Sequence, residues 1–369
     1  MNKCGPYENT DMTFYEKRIA HMLPDKVLDF HAHAWHSDQW LTGEREINRE
    51  ETGTSSSARL GAFNTARYMA TELEYTVEQL LSDGQRMFPD RKYQAVCFGQ
   101  PTPAVDTCLT NEYIARNSKK DGLIPLIVTG GGLIPAPELR EKILRDGYFG
   151  YKVFLNWVGN DYGNVLVEDM LTEQEMALAD ELKLVVLLHV PRSGRLADPE
   201  VQQGVRKLAQ KYRGANIVLA HCGRCYHPNE MRRAIGSICD LENVYMDTSM
   251  VMEPLVLEIA LRELGYRRLL YGTDLPVAAM RGKRVNVMDH WVDIVSKGYP
   301  ESDFRVQTDK IDTTFMTYEI AMAVGQAADS TGISSEQLRS VFYDNGASIL
   351  REVMNGAQWK KKMDMGASD

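Results

Sequence analysis

The chain has 369 residues, of which 44% are hydrophobic and 25% charged, and a formal net charge of −9. That composition is the one expected of a soluble globular protein, long enough for one large domain or two ordinary ones. The negative balance argues against a nucleic-acid-binding surface, and no apolar run approaches the ~20 residues that span a bilayer.

The N-terminal stretch MNKCGPYENTDMTFYEKR has no apolar core of the kind that directs secretion. Cytoplasmic residence is therefore expected, with residues 1–25 as an N-terminal extension. The first β-rich run is KVLDFHAHA (26–34), and a long polar stretch over 36–90 follows it. YQAVCFGQ (93–100), LIPLIVTG (123–130), YFGYKVFLNW (148–157) and LKLVVLLHV (182–190) are the next four. ANIVLAHCG (215–223), NVYMDTS (243–249) and RRLLYGTDLP (267–276) complete a set of eight.

Segments of helical period lie between them, such as 170–182, 199–212 and 256–265. Several strands are continuous runs of Val, Leu and Ile, the pattern of parallel strands covered on both faces. Eight strands alternating with helices predict an α/β fold, a (β/α)8 TIM barrel over residues 26–355, with a doubly wound open sheet as the alternative. The barrel carries long loop insertions after strands 1 and 8, at 36–90 and 280–310. Amphipathic helices over 317–352 close it, and 356–369 form a C-terminal tail.

Polar residues fall at the strand ends. His31 and His33 share one face of a strand, because side chains i and i+2 point the same way. Alone, such a pair is either half of a metal site or two histidines that share a face. In a parallel barrel all strand ends meet at one rim, which would bring His31, His33, Lys152, His189, His221 and Asp274 to one cavity. Each has an ordinary explanation: a hydrogen-bonded core histidine, a turn cap at Asp274, a lysine paired with a carboxylate. As a set, imidazoles and a carboxylate are the ligands of zinc or another borderline divalent ion. HAH is accordingly read as half of a metal site. Cys222-Gly-Arg-Cys225 has no second pair to complete a zinc knuckle and is read as small residues filling space.

HAH at strand one, a lysine in strand four, histidines ending strands five and six and the aspartate of GTD at strand eight resemble the amidohydrolase superfamily. IVLAHCGRCY, NVYMDTS, LLYGTDLP and NGASILR resemble its amidohydrolase-related branch, over roughly residues 25–352. The resemblance implies a principal metal held by His31, His33, His189 and Asp274. His221 would bind a second metal or act as an acid/base or electrophile, and Asp274 would also take a proton from water. Lys152 is either carboxylated, bridging two metals, or stands behind a single one, the arrangement preferred here. One or two divalent ions per chain are thus implied, zinc first and manganese second, with Asp274, His221 and Lys152 as the catalytic set. A homodimer is also implied.

The expected activity is hydrolysis of an amide, ester or lactone by a metal-activated water. The alternative is a metal-dependent decarboxylase of a small carboxylic acid, since that branch holds both kinds of enzyme. A non-catalytic ligand-binding barrel is the third reading. Arg192, Arg195, Arg224, Arg281, Lys283 and Arg284 crowd the loops after strands five, six and eight, which suggests a small anionic substrate. Their ordinary explanation is solvated charge paired with the abundant acids. Arg192, Arg224, Arg281 and Trp157 are the substrate-binding candidates, with Trp35, His36 and Trp40 as further walls. No nucleotide-binding glycine motif or serine-nucleophile elbow appears at a strand end, so no organic cofactor, nucleic acid or membrane partner is expected.

Overall fold

The computed structural model describes residues 9–41, 74–101, 104–154, 163–288, 290–297 and 304–355. Most of the polar insertion after the first strand, Trp157 and the C-terminal tail lie outside the described residues.

The fold is mixed α/β with parallel sheets. β1 (Lys26–His33), β2 (Lys92–Phe98) and β3 (Leu123–Pro125) pair in parallel. A second sheet runs in chain order through β4 (Ile127–Val128), β5 (Gly150–Val153), β6 (Val185–Leu188), β7 (Asn216–Leu219), β8 (Val244–Asp247) and β9 (Leu269–Leu270). The third predicted strand is thus split at Leu126. Pro125 has no N–H to continue a ladder, and the chain passes from β2 to β5: Leu126 N donates to Cys97 O at 2.9 Å and Phe149 N to Pro125 O at 2.9 Å.

Backbone bonds also join the segment after β9 to β1. Phe30 N donates to Tyr271 O, Asp274 N to His31 O and His33 N to Leu275 O, each at 2.8 Å. Neighbours follow chain order, without the reversal that a doubly wound sheet requires. β5, β6, β7 and β9 are buried at every position, as strands covered on both faces must be.

The helical segments form close to their expected limits, at Glu173–Leu182, Pro199–Lys211 and Pro254–Leu264. The first of these begins at Thr172 because its side chain accepts from Glu175 N, while Glu175 reaches back to the Thr172 N–H. The C-terminal helices Met316–Thr331, Ser335–Phe342 and Asp344–Asn355 lie against the sheets, where Gly346 faces Phe30 and Leu28 with no room for a Cβ. Residues 280–310, read from sequence as a loop, contain a small sheet instead. β10 (Gly282–Val287) pairs antiparallel with β11 (His290–Ser296), and β12 (Arg305–Thr308) joins β11 in parallel. Among the described residues no helix is long and apolar enough to cross a membrane.

The start of β5, which carries Lys152, requires Gly150. A Cβ there would stand 1.9 Å from Val185 O, in the neighbouring strand. Gly150→Ala is expected to lower stability by about 3 kcal/mol or more, measured by urea denaturation; a loss within 0.5 kcal/mol of zero, roughly that of a neutral surface change, would contradict this packing.

Candidate metal centre

The two-residue period of β1 puts Asp29, His31 and His33 on the inner face, and the strand's register with β2 shifts between Asp29 and Ala32. His33 Nε2 lies 2.9 Å from Asp274 Oδ1, and His31 Nε2 lies 3.4 Å from the same oxygen. His31, His33 and Asp274 each bring a ligand atom within 4.8 Å of the other two. Asp274 reaches them from a left-handed backbone position, φ +73°, fixed by its N–H on His31 O. Aspartate is one of the few residues that adopts this conformation at low cost. Gly272 permits the close approach, since a Cβ there would come within 3.1 Å of His31 Cβ.

Behind His31 stands Asp247, at the end of β8. Its Oδ2 accepts from His31 Nδ1 at 2.9 Å, while Oδ1 accepts from His221 N at 2.9 Å, Ser249 N at 3.0 Å and the Ser249 hydroxyl. With Nδ1 holding the proton, His31 turns its Nε2 lone pair toward Asp274, the orientation a ligating histidine takes. His221 Nδ1 is held by Ser249 O at 3.1 Å and Ser249 Oγ at 2.8 Å, and its Nε2 has no partner among the described residues. His31, His221 and Asp247 form a second group of three ligand-type residues. The Nδ1 atoms of that group are already engaged by Asp247 and Ser249, so it works as the support of the first.

His221 opens a single left-handed turn. Residues 221–224 have φ of +56°, +50°, +64° and +62°, and three of them are not glycine. Such a conformation costs roughly 1–2 kcal/mol per non-glycine residue and persists where the surroundings over-determine it. Cys222 and Cys225 are buried, unpaired thiols on this turn, donating to Asp247 O and Gly223 O. They fill space, as the sequence reading expected.

Burial sets the charge state of the cluster. It pushes His31 well below the usual imidazole range, with the Lys152 ammonium adding to it, and likewise lowers His33 and His221. For His189 the Arg224 charge adds to burial. Neutral imidazole is the ligating form. Burial works to raise Asp274, but the His33 hydrogen bond and the surrounding histidines outweigh it, so the carboxyl stays ionised. Asp29 is pushed up to about 7 by burial, against hydrogen bonds from Thr273 and Tyr93. A buried set of neutral nitrogens around an ionised carboxylate fits a borderline divalent cation.

The other candidates divide. His189 lies beside the cluster, its ring 5.2 Å from that of His221, but outside the groups whose ligand atoms meet. Its buried Nδ1 has no hydrogen-bond partner among the described residues. Lys152 is fully buried, with Nζ 3.2 Å from His31 Nε2 and 4.7 Å from the Phe98 ring centroid. Burial lowers its pKa to about 8. Arg224 lies beside the loop after β6, donating to Val190 O and Arg192 O. Arg192 is paired with Asp198.

Arg281, read from sequence as a substrate-binding candidate, is already engaged by the protein. It is buried in an ion pair with Asp11 of the helix Asn9–Phe14, donates to Thr313 O and stacks on Phe315. Trp157 lies outside the described residues. Asp247, Ser249 and Asp29 had no assigned role in the sequence reading. Asp247 sits at a strand end within NVYMDTS, and Asp29 on the HAH face two residues before His31, so strand position alone could have found both.

His31, His33 and Asp274, at the ends of parallel strands, form a group that could hold a metal ion. The sequence profile of the amidohydrolase family matches residues 28–351, and the chain belongs to that family. Its members are enzymes, hydrolases and decarboxylases among them, and generally depend on divalent metals. No curated protein matches the chain in sequence.

Among solved structures, the fold is similar to 4-oxalomesaconate hydratase from Rhodopseudomonas palustris, with 13% identity and a TM-score of 0.55, covering 92% of this chain and 99% of that one. It is also similar to 5-carboxyvanillate decarboxylase from Sphingomonas paucimobilis, with 12% identity, a TM-score of 0.56, and 89% and 99% covered. An amidohydrolase from Burkholderia multivorans has 13% identity and a TM-score of 0.55, with 88% and 99% covered.

Removing the Asp247 charge with Asp247→Asn is expected to weaken zinc binding about 10–100-fold, read by competition with a chelating dye, while the circular dichroism spectrum is kept. Arg281→Ala strands the buried Asp11 carboxylate and should cost about 3–5 kcal/mol of stability. Urea unfolding measures that loss, and the metal content of the folded protein should not change.

Proposed function

We propose that this protein is a metal-dependent hydrolase acting on an amide, ester or lactone bond of a small molecule, built on eight parallel strands closed into a (β/α)8 barrel. Chain-order pairing and the bonds between residues 271–275 and β1 support the closure. The observation that carries the function is the meeting of His31 Nε2, His33 Nε2 and Asp274 Oδ1, with Asp247 holding the far nitrogen of His31.

His31, His33 and Asp274 would hold the ion, with His189 nearby, its ring 5.2 Å from that of His221. A divalent ion there, zinc first and manganese second, supplies Lewis acidity and brings a water's pKa down to about 7. The ionised Asp274 lies next to the ligand nitrogens and no lysine or arginine pairs with it among the described residues. Asp274 is therefore free to accept a proton from water and return it to the leaving group. His221, its Nδ1–H donated to Ser249 O, presents an Nε2 lone pair that could accept a proton during the reaction or bind a second ion. Lys152, beside His31 Nε2, either carries a carboxylate between two ions or tunes the ligand from behind.

The second reading is decarboxylation of a small carboxylic acid. It is supported by His221, whose unpartnered Nε2 could take up a proton from water and pass it to carbon. Carbon dioxide release without water consumption distinguishes it.

Asp274→Asn should lower turnover about 10²–10⁴-fold on a panel of amides, esters and lactones, with the melting temperature retained; full activity would remove its role. Metal per chain by mass spectrometry is expected to be one in both wild type and Lys152→Ala. Two ions in the wild type, falling in the variant, would instead make Lys152 a bridge. A protein that takes up neither zinc nor manganese would overturn the reading.

A further inference from the structure

The basic residues after the strand ends are nearly all neutralised by the protein itself. Arg192 is paired with Asp198, Arg195 with Glu230, Arg281 with Asp11, Lys283 with Glu319 and Arg284 with Asp293. Arg224 differs: it makes no ion pair with a carboxylate among the described residues. Its Nη1 alone is used, donating to Val190 O and Arg192 O, each at 3.1 Å. Both bonds lie on one corner of the guanidinium, so the Nε–Nη2 edge has no protein partner among the described residues. That edge carries the two parallel N–H groups that match a carboxylate.

Its location suits a ligand. Arg224 ends the left-handed turn that begins with His221, so one strained four-residue segment sets both side chains. Its charge acts on His189, which follows β6 and faces His221 with ring centroids 5.2 Å apart. Ring contacts of His31 with His221 at 4.8 Å and of His221 with His189 at 5.2 Å link the His31, His33 and Asp274 group to the residues beside Arg224. One free fork on a single guanidinium matches a carboxylate in two parallel hydrogen bonds.

We propose that Arg224 receives a carboxylate of the substrate through its Nε–Nη2 edge, which makes the substrate a small carboxylic acid whose reacting group lies toward His31, His33 and Asp274. This rests on the reading of that cluster as the active centre. Arg192, Arg281 and Arg284 then have no part in recognising charge, and specificity for the acid depends on one residue.

Isothermal titration with benzoate, benzamide and inorganic phosphate tests it, on wild type and Arg224→Gln, each with its metal removed and restored. Wild type should prefer benzoate to benzamide in both states. Arg224→Gln should lose about tenfold in benzoate affinity, with benzamide binding, metal content and melting temperature unchanged. Unchanged benzoate affinity in that variant, or no preference in wild type, overturns the proposal. A tighter, Arg224-dependent binding of phosphate overturns the carboxylate assignment. If the glutamine variant fails to fold, Arg224→Lys decides, since it keeps the charge and loses the fork: benzoate should weaken about threefold or more, and unchanged affinity overturns the proposal. A wild type that takes up no metal but still shows the Arg224-dependent preference would count against the metal centre and for the carboxylate site.

Discussion

The Asp247 carboxylate is the contact on which the centre depends. It is fully buried, and a carboxylate taken out of water is tolerated only when donors surround it. Here the donors are the residues that make the site: the His31 ring, the His221 backbone, and both the backbone and hydroxyl of Ser249. Satisfying this one charge fixes the tautomer of His31, places the turn that carries His221 and locks the end of β8 to β1. Folding and placement of these candidate ligands are therefore the same event.

Asp29 does the same one turn of the strand pleat away. It accepts from the Tyr93 hydroxyl at 2.8 Å, from Thr273 N at 2.9 Å and from His31 N at 3.1 Å, tying β1 to β2 and to the segment after β9. The two carboxylates flank His31 along the floor of the cavity. With burial keeping the imidazoles neutral, no imidazolium has to be discharged before a cation could bind. The cost is a cluster that gains little from its own internal charges, and metal binding would offset it.

The cover over this floor has its own supports. Arg284 lies between Tyr226 and Trp291, 4.6 Å and 3.9 Å from their ring centroids, while its fork is bonded to Asp293. Asn286 of β10 bonds to Tyr226 O and Glu253, and His227 to Met288 O. The small sheet β10–β12 thus rests on the loops after β7 and β8 beside His221. On the other flank, Asp11 and Arg281 fasten the N-terminal helix. Cations that look available in the sequence are, in these two places, parts of the frame.

The sequence by itself determined the strands, their parallel character and the residues at their ends, because side-chain alternation and continuous apolar runs are local properties. His31, His33, His221 and Asp274 could be named from it for that reason. Asp247 and Asp29 obey the same rule and were legible, but a strand aspartate has many ordinary uses, and the histidine that Asp247 holds lies far along the chain. Three matters were decided by the tertiary structure alone. His189 lies beside the cluster without joining the closest ligand atoms, Arg281 serves Asp11, and Arg224 is left without an acid. Each depends on which groups meet across more than 25 residues of chain, a distance set by strand order and by how buried charges find counter-ions. Residue types show where charge is carried along the chain; only packing shows which charges are already neutralised.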